Sequence, residues 1–600
     1  MSTDYLAPLS DDEDDALGMA ETGPLIHLDV DNLILSEEDD LDDSDLLDDS
    51  LLDVEDGEYA AGQRETLPEV IRSFIAYFHR HLSERNVHEL HAIYETSFPK
   101  LTEKFFRQHP WPAVALVAPL VEEDELFLML YRELWYRHLY AHFKPTFQQR
   151  LDSWENYCSF FTYLLTAASP VALDLPVQWL WDIVDEFVFQ FQSFRQFQAL
   201  SAASLSPEER LVLQQNPHTW NARDVLFYLN ELVKKSNIVP ILRAEHRMAS
   251  FDEIRALSGP FGSRNLYRML GYFAIISLSR AHCLLGDYHL ALKTLDPIEF
   301  NRKGLYTRVT SCHVSLYYHL GFAYLMSRRY PDAIKAFYTI LLFISRSRSQ
   351  MGYRSPQDAS TKRADKLQAL LAIATSLCPQ QRIFDETLNT SLWDALNDKM
   401  TRMQRGDISA FAELFDFAAP KFISPTDSSA DSSTVGNAPA AASASPATPA
   451  TPTTEASRGG ASRAMRNQSK LFLEEIKQHV LIPTIRSYLK LYATIDVDKL
   501  ARFLEIDVKE LTQLLMAFKH KTETKRWVPG TPPLQGQPSV SGDLKFYFYQ
   551  HMVHISSGKG PRRYSSYYIR QINRFDEILH DLQKTNATAN SAAASSTVAH

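Results

Sequence analysis

Cysteine is scarce in this chain of 600 residues, which has only Cys158, Cys283, Cys312 and Cys378. They lie far apart and none forms a CxxC pair, so the sequence indicates neither a zinc knuckle nor a disulfide framework. No run of 18 apolar residues occurs, and the first residues are acidic where a signal peptide would be basic and then apolar. We therefore expect a protein without a membrane-spanning segment, located in the cytoplasm.

Motifs that carry catalysis are missing as well. The chain has no GxSxG and no GxGxxG, and the segment Gly558-Lys559-Gly560 lacks the first glycine of a phosphate-binding loop. His138 and His142 have helical i, i+4 spacing, but Leu139 stands where a zinc protease needs glutamate. We therefore expect no catalytic residue, no metal ligand and no bound cofactor, and hence a protein that is not an enzyme.

Positive charge is absent from residues 1–58, which hold 22 of the 74 acidic residues and no Lys or Arg. The remaining chain is mildly basic, because its 61 Lys and Arg face only 52 acidic residues (74 less 22). Charge repulsion and low apolar content predict a disordered acidic tail over residues 1–62. Three uses of this tail stay open: a solvated end, a partner-binding segment, or a shield over the basic body.

Two further segments of low complexity are predicted to be disordered. Residues 424–464 form an insertion rich in Ser, Ala, Pro and Thr, and residues 584–600 form a tail. Four positions in the insertion precede a proline and could take a proline-directed phosphate: Ser424, Ser445, Thr448 and Thr451. A passive surface insertion is the simpler interpretation of the same composition.

Aromatic residues are abundant, at 12% of the chain, and cluster between residues 131 and 197. Within residues 179–197 the apolar positions recur at steps of three and four, which predicts an amphipathic helix. We expect an aromatic-rich helical domain over residues 63–235. Its rings are predicted to form a core between stacked helices, with a partner groove as the alternative.

Two segments, 271–295 and 312–337, match each other at an offset of 42 residues. The matched pairs are Leu278 with Leu320, Ala281 with Ala323, Tyr288 with Tyr330, Ala291 with Ala333, and Leu295 with Phe337. This pattern resembles tetratricopeptide-type helix pairs, which bury their apolar faces only by stacking on neighbours. We therefore predict TPR-like helical repeats over residues 236–423.

A winged helix is predicted over residues 465–556. Apolar spacing indicates three short helical segments, over residues 470–492, 497–504 and 508–519. Asp507 and Glu510 have the spacing of a capping box before the third segment. Alternation between Lys545 and Ile555 predicts one or two strands of a wing. The fold class is thus mainly α, with a TPR-like solenoid that leads into a winged helix and a C-terminal helix.

The C-terminal helix is predicted within residues 557–583. Apolar residues from Tyr568 to Leu582 lie on one stripe, which needs a partner surface in the same chain or in a bundle with other chains. The wing strand would lend its edge to a neighbouring protein. The candidate partner interface comprises Phe546, Phe548, Ile569, Ile572, Phe575 and Leu579.

Basic residues gather around the third helix and the wing. They are Lys519, Lys521, Lys525, Arg526, Arg562 and Arg563. A protein that reads DNA would concentrate positive charge on the third helix, but that helix also carries Glu510. Two functions from different classes are therefore open: an assembly scaffold, or a module that binds RNA through these basic residues.

Helical repeats that lead into a winged helix resemble the PCI domain of subunits in the proteasome lid, the COP9 signalosome and translation initiation factor 3. Local sequence words narrow the resemblance to the subunit L family of eukaryotic initiation factor 3, over roughly residues 66–582. They include Phe74-Ile75-Ala76-Tyr77-Phe78, Pro110-Trp111-Pro112, Leu130–His138, Ile485–Tyr492 and Phe518–Lys521. The acidic tail and the 424–464 insertion depart from the family pattern.

The resemblance implies a non-catalytic scaffold subunit that acts in translation initiation. Such a subunit helps to build the PCI/MPN core of the factor, with subunits E and K, and possibly C, as the implied partners. The assembled factor binds the small ribosomal subunit and promotes recruitment of mRNA and initiator tRNA. No membrane and no small-molecule substrate is implied. A PCI subunit of the proteasome lid or the COP9 signalosome is the alternative assignment.

Overall fold

The computed structural model describes residues 67–201, 207–300, 304–351, 358–378, 386–424, 463–540 and 544–557, and short helical stretches between residues 567 and 583. The predicted acidic tail, the 424–464 insertion except for its ends, Arg562, Arg563 and the 584–600 tail lie outside the described residues. The described part is mainly helical, as the sequence predicts, and its strands all lie near the carboxyl end.

Nine α-helices span the described residues before residue 236. They are α1 (Glu69–Glu84), α2 (Val87–Ala92), α3 (Phe98–Phe105), α4 (Val114–Val117), α5 (Glu125–His142), α6 (Phe147–Thr166), α7 (Val177–Ser201), α8 (Pro207–Gln215) and α9 (Ala222–Lys235). Aromatic rings fill the space between them. Phe187 of α7 lies with its ring centroid 5.0–6.1 Å from those of Trp154, Tyr157, Phe161 and Trp220. The aromatic cluster is therefore core between stacked helices.

Nine more α-helices continue the stack through the described residues up to 424. They are α10 (Ile238–His246), α11 (Phe251–Gly262), α12 (Asn265–Leu285), α13 (Tyr288–Thr294), α14 (Thr310–Met326), α15 (Tyr330–Met351), α16 (Asp358–Leu377), α17 (Glu386–Gln404) and α18 (Ile408–Ala418). One continuous hydrophobic core joins them to the first nine. The predicted division at residue 235 therefore separates no independent core.

The two matched sequence segments form successive helix–turn–helix pairs, α12–α13 and α14–α15. The alanines repeated at the offset of 42 are all buried, which lets the paired helices approach closely. Both turns pass through a left-handed residue at the equivalent position, Gly286 with φ 84° and Arg328 with φ 62°. Glycine reaches this conformation without strain, whereas arginine there carries a cost in backbone energy.

The carboxyl-terminal part mixes helices and strands. Its elements are α19 (Arg463–Val480), α20 (Ile482–Leu491), β1 (Thr494–Asp496), α21 (Val497–Leu504), α22 (Val508–Thr522), β2 (Glu523–Arg526), β3 (Gln537–Val540), β4 (Leu544–Tyr549) and β5 (Met552–Ser557). This order of helices, short first strand and terminal hairpin is the one predicted from the sequence. The Asp507 side chain, however, makes no capping hydrogen bond to α22, so the predicted capping box is wrong in its contacts.

The two hydrophobic cores meet between α19 and α20. In α19, Ile476 is fully buried in the solenoid core, and the ring of Phe472 stacks on Phe415 of α18 at 4.3 Å. The second core begins at Ile482 and contains the buried residues of α20, β1, α21, α22, β4 and β5. Helix α19 therefore closes the solenoid, although the sequence placed it in the winged helix. We refer to residues 482–557 as the C-terminal unit.

Candidate assembly interface

The C-terminal unit contains a three-stranded antiparallel sheet with the strand order β1-β5-β4. In the hairpin, Phe546 is opposite Ile555 and Phe548 is opposite Val553. Strand β1 pairs with the other edge of β5, where Ile495 is opposite Val553. Strand β4 is therefore an edge strand, and within the described residues no strand pairs with its outer side.

Phe546 and Phe548 both point into the C-terminal unit, because alternate residues of a strand lie on the same face of a sheet. Phe546 is 7% exposed and its ring stacks on Phe518 of α22 at 5.6 Å. Phe548 is half-buried against the same core. The expectation that these two side chains divide between core and partner is thus corrected, since the pleat directs both inward.

The outward face of β4 carries two tyrosines that the sequence analysis missed. Tyr547 is 56% exposed and Tyr549 is 62% exposed. The ring of His554 from β5 stacks on Tyr547 at 5.1 Å with an interplanar angle of 10°. The alternation that predicted the strand was the available signal, because it assigns odd-numbered residues of β4 to the opposite face from Phe546.

The terminal helix consists of residues 567–572, 574–576, 578–580 and 582–583, the described part of the predicted C-terminal helix. Its large apolar side chains are all about half-exposed or more: Tyr567, Tyr568, Ile569, Ile572, Phe575, Ile578, Leu579 and Leu582. Phe575 is the most exposed of them, at 63%. Apolar side chains at such spacing stay in water unless another surface covers them, so this helix is an uncovered amphipathic face.

Only some of the predicted RNA-contacting residues are available on the surface. Lys521 is not among them, because its side chain is 6% exposed and its Nζ lies 2.8 Å from Oε1 of Glu475 in α19. Burial lowers the pKa of Lys521, and the neighbouring Glu475 acts in the opposite direction. Lys519 is half-buried, whereas Lys525 and Arg526 of β2 are exposed. The ion pair joins α22 to α19 and so attaches the C-terminal unit to the solenoid.

A second attachment is made by residues 523–540, which we call the arm. Strands β2 and β3 pair with each other, and the loop between them reaches the repeat pair α14–α15. Arg329, in the turn of that pair, donates from Nη1 to the carbonyl oxygens of Pro533 (2.8 Å) and Leu534 (3.0 Å), and from Nη2 to that of Gln535 (3.3 Å). The guanidinium therefore captures three successive carbonyl groups of the arm.

Asp332 completes this anchor from the same turn. Its carboxylate accepts from Nε of Arg329 at 2.8 Å and from the backbone N–H of Trp527 at 3.0 Å. The Tyr324 hydroxyl donates to the Pro533 carbonyl at 2.9 Å. Arg329 is 6% exposed and Asp332 is 5% exposed, so both charges are paired inside the protein. Sequence reasoning noted the Arg-Arg-Tyr turn but had no signal for its contact more than 190 residues away.

The most polar cluster inside the solenoid consists of mutually satisfied groups. Glu133 is 3% exposed, pairs with Arg137 and accepts from Nε1 of Trp179 at 3.0 Å. The Tyr94 hydroxyl donates to Asp182 at 2.5 Å. Burial raises the pKa of Glu133, while Arg137 acts in the opposite direction. His138, considered above as a metal ligand, is buried and stands beside His142 with ring centroids 4.7 Å apart.

No group of three or more His, Cys, Asp or Glu side chains in the described ranges is arranged to hold a metal ion. Among the same residues, no helix combines the length and apolar character that crossing a bilayer requires. The features that stand out are therefore surfaces: the outer face and edge of β4, and the apolar stripe of the terminal helix. Together they define a helical-repeat protein with a mixed α/β unit at its end and uncovered apolar surfaces on that part of the chain.

Comparison with known proteins narrows this class. The family described as RNA polymerase I-associated factor PAF67 matches residues 149–575. Eukaryotic translation initiation factor 3 subunit L of Nematostella vectensis is 42% identical over 531 residues, which cover 88% of this chain and 95% of the relative. The subunits L of Xenopus tropicalis and Homo sapiens are each 40% identical over 550 residues, covering 88% of this chain and 93% and 92% of those proteins. The chain belongs to the eukaryotic translation initiation factor 3 subunit L family.

Proposed function

We propose that this protein is a non-catalytic scaffold subunit of eukaryotic translation initiation factor 3 and acts in translation initiation in the cytoplasm. Membership of the subunit L family supports the assignment to that factor. The observation that carries the scaffold role is the terminal helix, whose eight large apolar side chains are uncovered. In this proposal the C-terminal unit is a PCI-type winged helix, and the solenoid is the repeat part of the same domain.

The terminal helix is the first contact that we propose. Ile569, Ile572, Phe575 and Leu579 lie at helical spacing and pack into a bundle with helices of other subunits. Full burial of one such side chain is worth about 1.5–3 kcal/mol before the costs of ordering and association. Several of them together are enough to hold a subunit in a stable complex.

The edge of β4 is the second contact. A neighbouring wing adds a strand to this edge through backbone hydrogen bonds, while Tyr547 and Tyr549 supply side-chain contact on the outward face. Phe546 and Phe548 keep the strand flat against its own core and so support the edge from within. The proposed partners are subunits E and K, and possibly C. The resulting PCI/MPN core binds the small ribosomal subunit and promotes recruitment of mRNA and initiator tRNA.

Co-purification of variants from cell extract tests the terminal helix. Phe575→Asp places a charge in the middle of the apolar stripe, so we expect at least about a tenfold loss of associated initiation-factor subunits, since one lost anchor of about 1.4 kcal/mol has that effect. Thermal unfolding of the purified chain should be unchanged, because Phe575 contacts solvent in the isolated protein.

Arg574→Asp is the matched control, because it introduces the same residue next to Phe575 at another exposed position of the helix. It should retain the associated subunits. Recovery of the full set of subunits with the Phe575→Asp variant contradicts the bundle contact. Recovery of proteasome-lid or signalosome subunits in place of initiation-factor subunits contradicts the wider assignment.

Direct RNA binding is the second candidate function. It is favoured by the exposure of Lys525 and Arg526 on β2 and weakened by the burial of Lys521. Salt dependence separates the two functions, since phosphate contacts weaken steeply with added salt and apolar contacts do not. A Lys525→Gln, Arg526→Gln variant that loses RNA affinity but keeps its associated subunits would establish this second function.

A further inference from the structure

A cavity of about 520 Å³ opens in the solenoid between helices α7, α12, α14 and α16. Residues 419–421, which follow α18, also line it, and none of its lining residues belongs to the C-terminal unit. The cavity is thus separate from the surfaces proposed above for assembly. Its lining combines four cationic side chains with several hydroxyl and amide groups.

The charges in this cavity do not balance. Arg280 pairs with Asp185, which is the only acidic residue of the lining. Arg363, Lys366 and Lys421 remain, and no ion pair joins them to a carboxylate among the described residues. Burial lowers the pKa of Lys366, and the positive charges of Lys421 and Arg363 lower it further. Three like charges therefore face the same space without a counter-charge, which an anion would supply.

Neutral donors lie beside these cations. The hydroxyl oxygen of Ser311 is buried and has no hydrogen-bond partner within the described residues, although Ser311 lines the cavity. Buried polar groups are normally satisfied, so an unpartnered hydroxyl in a cationic cavity points to a missing acceptor. The Gln192 amide donates to the Lys421 carbonyl at 2.9 Å, which fixes the backbone of residue 421 against α7. Lys421 is thereby positioned by the fold at the same cavity as Lys366.

We propose that this cavity binds a compact, multiply charged phosphate-bearing anion. Arg363, Lys366 and Lys421 neutralise its charge, and Ser311 donates a hydrogen bond to one of its oxygens. Phosphate groups suit the site because each carries up to two negative charges and several strong acceptor oxygens. A single-stranded RNA is disfavoured, because its binding sites run along a surface and stack successive bases on aromatic rings. Here the cations converge on one enclosed space.

Isothermal titration of the full chain with inorganic tripolyphosphate tests this site. The Lys366→Gln, Lys421→Gln double variant should bind at least about tenfold more weakly than the unaltered protein, because two charge-assisted contacts are lost. Lys362→Gln is the control: Lys362 is exposed on the same helix, one turn before Lys366, and does not line the cavity. It should leave the affinity unchanged. Circular dichroism checks that each variant is folded.

Ser311→Ala offers a second test that leaves every charge in place. It should weaken binding by a smaller factor than the double variant, and a folded Ser311→Ala protein keeps the test informative if the double variant does not fold. The proposal is overturned if the unaltered chain does not bind tripolyphosphate, or if the double variant binds as tightly as the Lys362→Gln protein. An unstructured RNA that competes poorly with tripolyphosphate supports the assignment to a compact anion. An RNA that binds through Lys366 and Lys421 while tripolyphosphate does not overturns it.

Discussion

Replacing Arg329 with alanine is expected to release the arm from the repeat pair α14–α15. The change removes three charge-assisted hydrogen bonds to the carbonyls of residues 533–535 and one to Asp332. It also leaves the Asp332 carboxylate buried, with the Trp527 N–H as its remaining donor in the arm. Removing one partner of a buried ion pair typically costs about 3–5 kcal/mol, chiefly because the other charge stays uncompensated.

Hydrogen exchange of the arm measures this cost directly. A loss of 3–5 kcal/mol corresponds to roughly two to more than three orders of magnitude in the equilibrium for local opening, at about 1.4 kcal/mol for each factor of ten. Amides of β2 and β3 should therefore lose protection by about that factor, while amides of α12 keep theirs. The fluorescence of Trp527 should change as well, because Lys335 Nζ lies 5.1 Å from the centre of its ring.

Two companion variants make the test specific. Arg329→Lys keeps the charge but lacks the planar fork that reaches three carbonyls, so it should restore only part of the protection. Arg328→Ala changes the adjacent residue, whose more exposed side chain pairs with Glu475 at 3.1 Å, and should cost no more than about 1 kcal/mol. If the arm of the Arg329→Ala protein stays as protected as in the unaltered protein, the anchor does not hold it and the reasoning fails.

Two further predictions concern the packing of single side chains. Burial lowers the pKa of His313 to about 4 from its ordinary value of 6.5, so the unfolded chain binds more protons than the folded one between these values. Stability should therefore fall as the pH drops from about 6.5 to 4, by up to about 3 kcal/mol from this residue. His313→Phe should flatten that part of the stability–pH curve in denaturant titrations, and an unchanged curve would argue against the residue's burial. Phe546→Ala should destabilise the C-terminal unit by about 3–5 kcal/mol, whereas Tyr547→Ala on the other face of β4 should cost well under 1 kcal/mol yet reduce capture of partner subunits. Equal unfolding midpoints for these two proteins would refute the assigned faces of the strand.

The elements that sequence analysis located are those with local periodicity. The 42-residue offset between Ala281 and Ala323 identified the two repeat pairs, because helix packing requires a small residue at the same point of each pair. The alternation around Phe546 identified the hairpin. The steps of three and four from Tyr568 to Leu582 identified the terminal helix, whose stripe is exposed in the structure.

The features that sequence analysis missed depend on contacts between distant parts of the chain. Nothing around Lys521 distinguishes it from Lys525, yet only Lys521 meets a carboxylate of α19 and is buried. Apolar spacing in α19 predicts a buried face without saying which core receives it, and Phe415 of α18 supplies the answer. Likewise, the repeat pattern marks Arg329 as a turn residue, but only the folded chain brings Pro533 to it.

The C-terminal unit is joined to the solenoid at two separate places, the α19–α20 junction with its Lys521–Glu475 pair and the arm held by Arg329. A single junction would leave the unit free to rotate about one axis, whereas two spaced junctions remove that rotation. The direction in which β4 faces is consequently fixed relative to the repeats of the solenoid. A protein that docks on one of these regions meets the other at a constant distance and angle, so the subunit acts as a set square within any larger particle that it joins.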